Sequence, residues 1–126
     1  MIDHVSIAVS NLTVSEVFYT ELLASVDYLK LVEKPGTVGY GKKYADFWLN
    51  ERPNYKAGSA DGFHICLRTK SKENVERFYR NAIALGAVDS GEPGFREIYS
   101  QNYYASFIQG LDGNKIEVVT FVEPGQ

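Results

Sequence analysis

From Asp3 to Ser10 the side chains alternate: Val5, Ile7 and Val9 fall on one side, and His4, Ser6, Ala8 and Ser10 on the other. That is the pattern of a strand with one buried face. Asn11 and Thr13 are candidate N-caps, and Thr13-Val14-Ser15-Glu16 has the form of a capping box. A helix is therefore predicted to about Ala24, with Val14, Val17, Phe18 and Leu22 as its buried stripe. Strand-like segments follow at Tyr28–Glu33, Thr37–Gly41 and Ala45–Leu49, the first two separated by Glu33-Lys34-Pro35-Gly36. Residues 50–62, with Gly58-Ser59-Ala60, read as a loop joining two halves.

The pattern then restarts. Phe63–Arg68 is a second alternating strand, and Ser71 caps a helix to Leu85 with Val75, Phe78, Tyr79 and Ala82 inward and Gly86 at its C-terminal end. Short strands are expected at Ala87–Ser90 and Glu97–Ser100, with Gly91-Glu92-Pro93-Gly94 as a turn between them. Strands at Tyr103–Gln109 and Lys115–Val122 close the chain, joined by Leu111-Asp112-Gly113-Asn114, whose Asp-Gly is a hairpin signal. An offset of 60 carries His4 to His64, Val5 and Ile7 to Ile65 and Leu67, and Glu16, Phe18 and Tyr19 to Glu76, Phe78 and Tyr79. One gap-free shift superposes a strand, a turn and a helix, so the chain is read as an α+β duplication of a βαβββ unit. The two modules span about 1–56 and 62–126 of a single domain.

Composition narrows the function. A length of 126 residues suits one domain, and a net charge of −3 offers no basic field for a polyanion, so nucleic-acid binding is set aside. No run approaches the roughly 18 apolar residues of a membrane span, and the N-terminus has no leader pattern. The lone cysteine, Cys66, excludes an internal disulfide framework and suits a reducing compartment. A cytoplasmic protein handling small molecules is the expectation, without a membrane partner.

His4 and His64 are the chain's two histidines, and both stand at equivalent positions of the repeat. Their strands turn the aliphatic side chains the other way, so both imidazoles look into the concavity between the sheets. In the strand Asn114-Lys115-Ile116-Glu117-Val118-Val119, core-facing Ile116 and Val118 would point Glu117 into the same concavity. A carboxylate there is costly without a partner, and a metal ion supplies one. Two imidazoles and a carboxylate suit a divalent ion such as Fe, Mn, Ni or Zn and leave positions open for water or substrate.

These segments resemble the vicinal oxygen chelate superfamily, which includes glyoxalase I, extradiol dioxygenases, and fosfomycin- and bleomycin-resistance proteins. The resemblance rests on Asp3-His4-Val5-Ser6-Ile7-Ala8-Val9, Phe18-Tyr19, His64-Ile65 and Leu111-Asp112-Gly113-Asn114-Lys115-Ile116-Glu117. It implies a curved, cup-like mixed sheet with helices on the outside, and His4, His64 and Glu117 as metal ligands. It also implies a homodimer, because a chain this short often completes its site with a second copy. Glyoxalase I takes a fourth ligand, a glutamate, from the last strand of the first half. Aligning Asp46-Phe47-Trp48-Leu49 with Ile116-Glu117-Val118 puts Trp48 there, with Asp46 and Glu51 two or three residues out of register. The remaining three-ligand set is similar to that of the dioxygenases and resistance proteins.

Other residues could complete a pocket. Cys66 and Arg68 share a strand face with His64, and Arg68 could bind a substrate carboxylate or phosphate or serve a structural ion pair. Tyr103 and Tyr104 are candidate catalytic phenols, of which alternation sends one inward. Tyr40, Trp48 and Phe107 could line an aromatic substrate pocket or simply pack. Two functions follow: a metal-dependent lyase, isomerase or dioxygenase acting on a small oxygenated substrate, or a non-catalytic protein that sequesters a drug or other small molecule.

Overall fold

The computed structural model describes residues 1–56 and 62–123; the Gly58-Ser59-Ala60 stretch expected to join the halves lies outside the described residues. The first half runs β1 (Val5–Val9), α1 (Leu12–Ala24), β2 (Leu29–Lys34), β3 (Thr37–Gly41) and β4 (Ala45–Glu51). The second runs β5 (Ile65–Arg68), α2 (Lys72–Ala84), β6 (Val88–Phe95), β7 (Tyr103–Gln109) and β8 (Lys115–Phe121). Each half forms a four-stranded mixed sheet, in the orders β1-β4-β3-β2 and β5-β8-β7-β6. In both, the first strand pairs parallel with the last and the other pairs are antiparallel. This is the α+β fold of two βαβββ units. The offset of 60 carries the bounds of α1 onto those of α2, Leu12 to Lys72 and Ala24 to Ala84.

The helix-facing sides of both sheets share one core. Ile7, Val9, Phe18, Leu22 and Phe47 from the first half join Val75, Phe78, Ala82, Ile108, Ile116 and Val118 from the second. Each such side chain contributes about 1.5–3 kcal/mol by leaving water, except the smaller Ala82. The β7–β8 turn also latches the halves together. Asn114 Nδ2 donates to the Ala8 carbonyl at 2.8 Å and its Oδ1 accepts from the Tyr55 hydroxyl at 3.1 Å. Asp112 Oδ2 accepts from the Ser10 amide at 3.1 Å. Gly113 takes a φ of 88°, as the turn requires. No helix among the described residues is long and apolar enough to cross a membrane.

Several local expectations need correction. The N-cap of α1 is Asn11, whose side chain accepts from the Val14 amide, so Thr13 lies inside the helix. The buried stripe is Ser15, Phe18, Tyr19, Leu22 and Leu23, while Val14 and Val17 are 52% and 65% exposed. The larger side chains of Tyr19 and Leu23 take the core beside Phe18 and Leu22, and the two valines are left on the flank. Gly91–Gly94 is not a free turn but part of β6, where the register against β7 slips between Asp89 and Gly91 and again before Gly94. As an edge strand β6 tolerates Pro93, which has no N–H to give. Residues 97–100 form a turn, not a strand.

Candidate functional site

The register of the two sheets makes Trp48 and Glu117 equivalent. Ser6 pairs with Trp48 across β1–β4, and Cys66 pairs with Glu117 across β5–β8. On the other side Gly39 faces Trp48 and Phe107 faces Glu117. Trp48 thus occupies the first-half counterpart of the carboxylate. Its ring lies over Gly39, where an added Cβ would come within 2.9 Å of it, and its indole N–H donates to the Ala45 carbonyl at 3.2 Å.

Glu117 is 2% exposed and turns away from the helices, because Ile116 and Val118 on either side belong to the core. A buried carboxylate needs partners, and two are present. His64 Nε2 lies 2.9 Å from Oε1, and the Tyr103 hydroxyl donates to Oε2. Burial first, then this bond to Glu117, pushes the Tyr103 phenol above its ordinary value. Tyr103 therefore stays a donor at neutral pH. Cys66 is an exposed residue, but its thiol faces Glu117; lost hydration, then that carboxylate, pushes the thiol up to about 12. A thiol so protonated is a poor nucleophile.

Phe107 shares this face, its ring 5.8 Å from that of His64, and the cations of Lys115 and Arg96 lie 5.2 and 5.6 Å from its centre. Lys115 was missed from the sequence, although the alternation that turns Glu117 outward turns Lys115 with it.

His4 and His64 line one cavity of about 330 Å³ together with Asp3, Tyr28, Asp46 and Cys66. His4 Nδ1 is 2.7 Å from Asp3 Oδ1. Among the described residues no group of three His, Cys, Asp or Glu side chains converges closely enough to hold a metal ion. His64 and Glu117 are paired, but the cavity that His4 and His64 share is not lined by Glu117. Asp46, two residues from Trp48, lines the cavity: Oδ2 accepts from the Tyr28 hydroxyl at 3.3 Å, while Oδ1 is buried with no hydrogen-bond partner. Glu51 is used otherwise, accepting from the Leu12 amide at the start of α1 at 2.8 Å.

Two of the aromatic candidates face the helices. Tyr104 belongs to the core and donates to Glu76 on α2 at 2.9 Å. Tyr40 is fully buried, with its hydroxyl 2.8 Å from that of Thr20. Alternation along each strand carries both away from the Glu117 side. Arg68 lies over the Phe121 ring at 4.6 Å and lines two neighbouring cavities.

No protein-family model and no curated protein sequence matches the chain. Solved structures do. A glyoxalase/bleomycin resistance protein from Albidiferax ferrireducens T118 is 26% identical with a TM-score of 0.82, covering 94% of this chain and 97% of that one. A glyoxalase/bleomycin resistance protein/dioxygenase family enzyme from Burkholderia phytofirmans PsJN is 16% identical, TM-score 0.73, over 96% and 98%. The E126Q mutant of the fosfomycin resistance protein FosX from Listeria monocytogenes, complexed with Mn(II) and 1S,2S-dihydroxypropylphosphonic acid, is 12% identical, TM-score 0.72, over 98% and 91%.

Proposed function

We propose, from the premise that this chain belongs by its fold to the vicinal oxygen chelate superfamily, that it is a metal-dependent enzyme acting on a small oxygenated substrate, with His4, His64 and Glu117 as the ligands. The observation that carries this reading is Glu117: a carboxylate 2% exposed, turned away from the core and held by an imidazole and a phenol. Such a group is expensive to keep in a purely structural role, where an apolar residue would pack as well. The donor set fits Fe, Mn, Ni or Zn.

When bound, the ion supplies Lewis acidity toward substrate oxygens. The chain's own residues do the rest. Tyr103 fixes the orientation of the Glu117 carboxylate through its hydrogen bond and, being held protonated, donates without taking a proton. Phe107, against His64, limits how that ring can turn and excludes water from one side. Trp48, at the first-half counterpart of Glu117, offers no carboxylate, so the chain would give a bound ion three ligands rather than four. Lyase, isomerase and dioxygenase chemistry are each open to that arrangement, and Cys66 takes no nucleophilic part.

That the three proposed ligands do not converge closely within one chain is consistent with a site completed by a second copy, in the reducing cytoplasm that a lone Cys66 suits. Metal content after resupply of Fe, Mn, Ni and Zn tests the assignment. Wild type is expected to retain about one ion per site, and His4→Ala, His64→Ala and Glu117→Gln to bind at least about tenfold more weakly. Equal and negligible retention in all four would overturn the enzyme reading and leave the sequestering one.

A further inference from the structure

The histidine cavity does not end at the histidines. Tyr28 and Asp46 also line a second cavity of about 470 Å³ with Lys42, Lys43, Tyr44 and Arg68. Arg68 and Lys42 in turn line a third, of about 380 Å³, with Asp27, Thr69 and Lys70. The three adjoin, the first and second sharing Tyr28 and Asp46 and the second and third sharing Lys42 and Arg68. They make a groove from His4 and His64 to a cluster of four cations, in a chain whose net charge is −3.

The acids facing these cations leave most of them unpaired. Asp27 is 3.8 Å from Lys70. Asp46 is engaged by Tyr28 through one oxygen. Among the described residues no carboxylate lies within ion-pair distance of Lys42, Lys43 or Arg68. Like charges gathered at one end of a groove repel one another unless an anion joins them. Arg68 is also pre-positioned: its guanidinium is held over the Phe121 ring, which fixes a planar fork of donors that matches carboxylate or phosphate. Tyr28 and Asp46, which line both the first and the second cavity, place a hydrogen-bonded phenol and carboxylate between the histidines and the cations.

We infer that this groove recognises a small hydroxylated organic anion, its carboxylate or phosphate at Arg68, Lys42 and Lys43 and its hydroxyl toward Asp46. The inference rests on the preceding reading only for where the reacting end lies, and it names the substrate class for that site.

The test is done on chelator-stripped protein, so that it does not depend on metal. Glycolate and glycerol 2-phosphate, one for each source of the anion, are titrated by two-dimensional NMR beside the uncharged ethylene glycol. The proteins are wild type, Arg68→Gln and Lys34→Gln, the last removing a lysine that lines none of these cavities. At least one anion should saturate wild type and Lys34→Gln alike, and Arg68→Gln should bind it about tenfold more weakly or worse. The tighter of the two anions identifies the source. Equal affinity in all three proteins, with each folded by circular dichroism, or saturation by ethylene glycol at matching concentration, overturns the inference. Anion binding without metal retention would sink the metal site and leave the groove; metal retention without anion binding would do the reverse.

Discussion

Tyr103 and Tyr104 show what one side chain's direction decides. The two are adjacent, yet one donates to Glu117 and the other to Glu76 on α2. Both hydrogen bonds end on a carboxylate, so each is expected to be worth about 1.5–3 kcal/mol. Tyr103→Phe and Tyr104→Phe should both lower stability in urea by about that range or somewhat less. Only Tyr103→Phe should also weaken metal retention, by roughly tenfold, because only Glu117 loses a group that orients it. Equal metal retention in the two variants would remove Tyr103 from the site. From sequence the pair could be narrowed to one, since strand alternation forces a choice. Which one required the register, because Tyr103 lies opposite Phe121 and two rows of the same face lead from there to Glu117. For Tyr40 both a pocket and simple packing were open from sequence, because the glycines on either side carry no side chain to mark the opposite face, and the structure has it pack.

At the scale of elements, legibility followed the strength of the local pattern. The strands β1, β3, β7 and β8 have clean alternation or a clear turn beside them, and their positions could be read within a residue or two. The edge strand β6 could not, because Gly91, Pro93 and Gly94 give the chemistry of a turn while the bulges let the strand continue through them. Helix α1 was placed with two candidate caps, of which Asn11 holds and the Thr13 capping box does not. The structure has Asn11 accept from Val14 and Glu51 from the Leu12 amide, two first-turn donors met from outside the helix. Asn11→Ala should therefore cost about 1 kcal/mol, and Thr13→Ala close to nothing. Chemical denaturation of the two variants measures the difference directly, and a larger cost for Thr13→Ala would restore the capping-box register.

Across the whole molecule, the duplication was the most legible feature, and it also limits what one copy of the chain can do. Equivalent strands place His4 and His64 on matching positions, but Glu117 has no carboxylate twin, since Trp48 fills that place. The second half therefore carries two of the three proposed ligands and the first half carries one. His64 and Glu117 are in contact within one chain, while His4 is bonded to Asp3. If the third ligand arrives from a second copy, inactivating different ligands in different chains should be reversible by mixing. His4→Ala and Glu117→Gln homodimers each lack every complete site. After unfolding together and refolding, a mixed dimer unites His4 of the Glu117→Gln chain with His64 and Glu117 of the His4→Ala chain. One of its two sites is then whole, and random pairing makes half of the dimers mixed, so about a quarter of the wild-type metal should return. A mixture that binds no more metal than its separate components would place all three ligands in one chain. Because each chain keeps its fold-forming core untouched in this design, recovered metal reads the sharing of the site and not a rescue of folding.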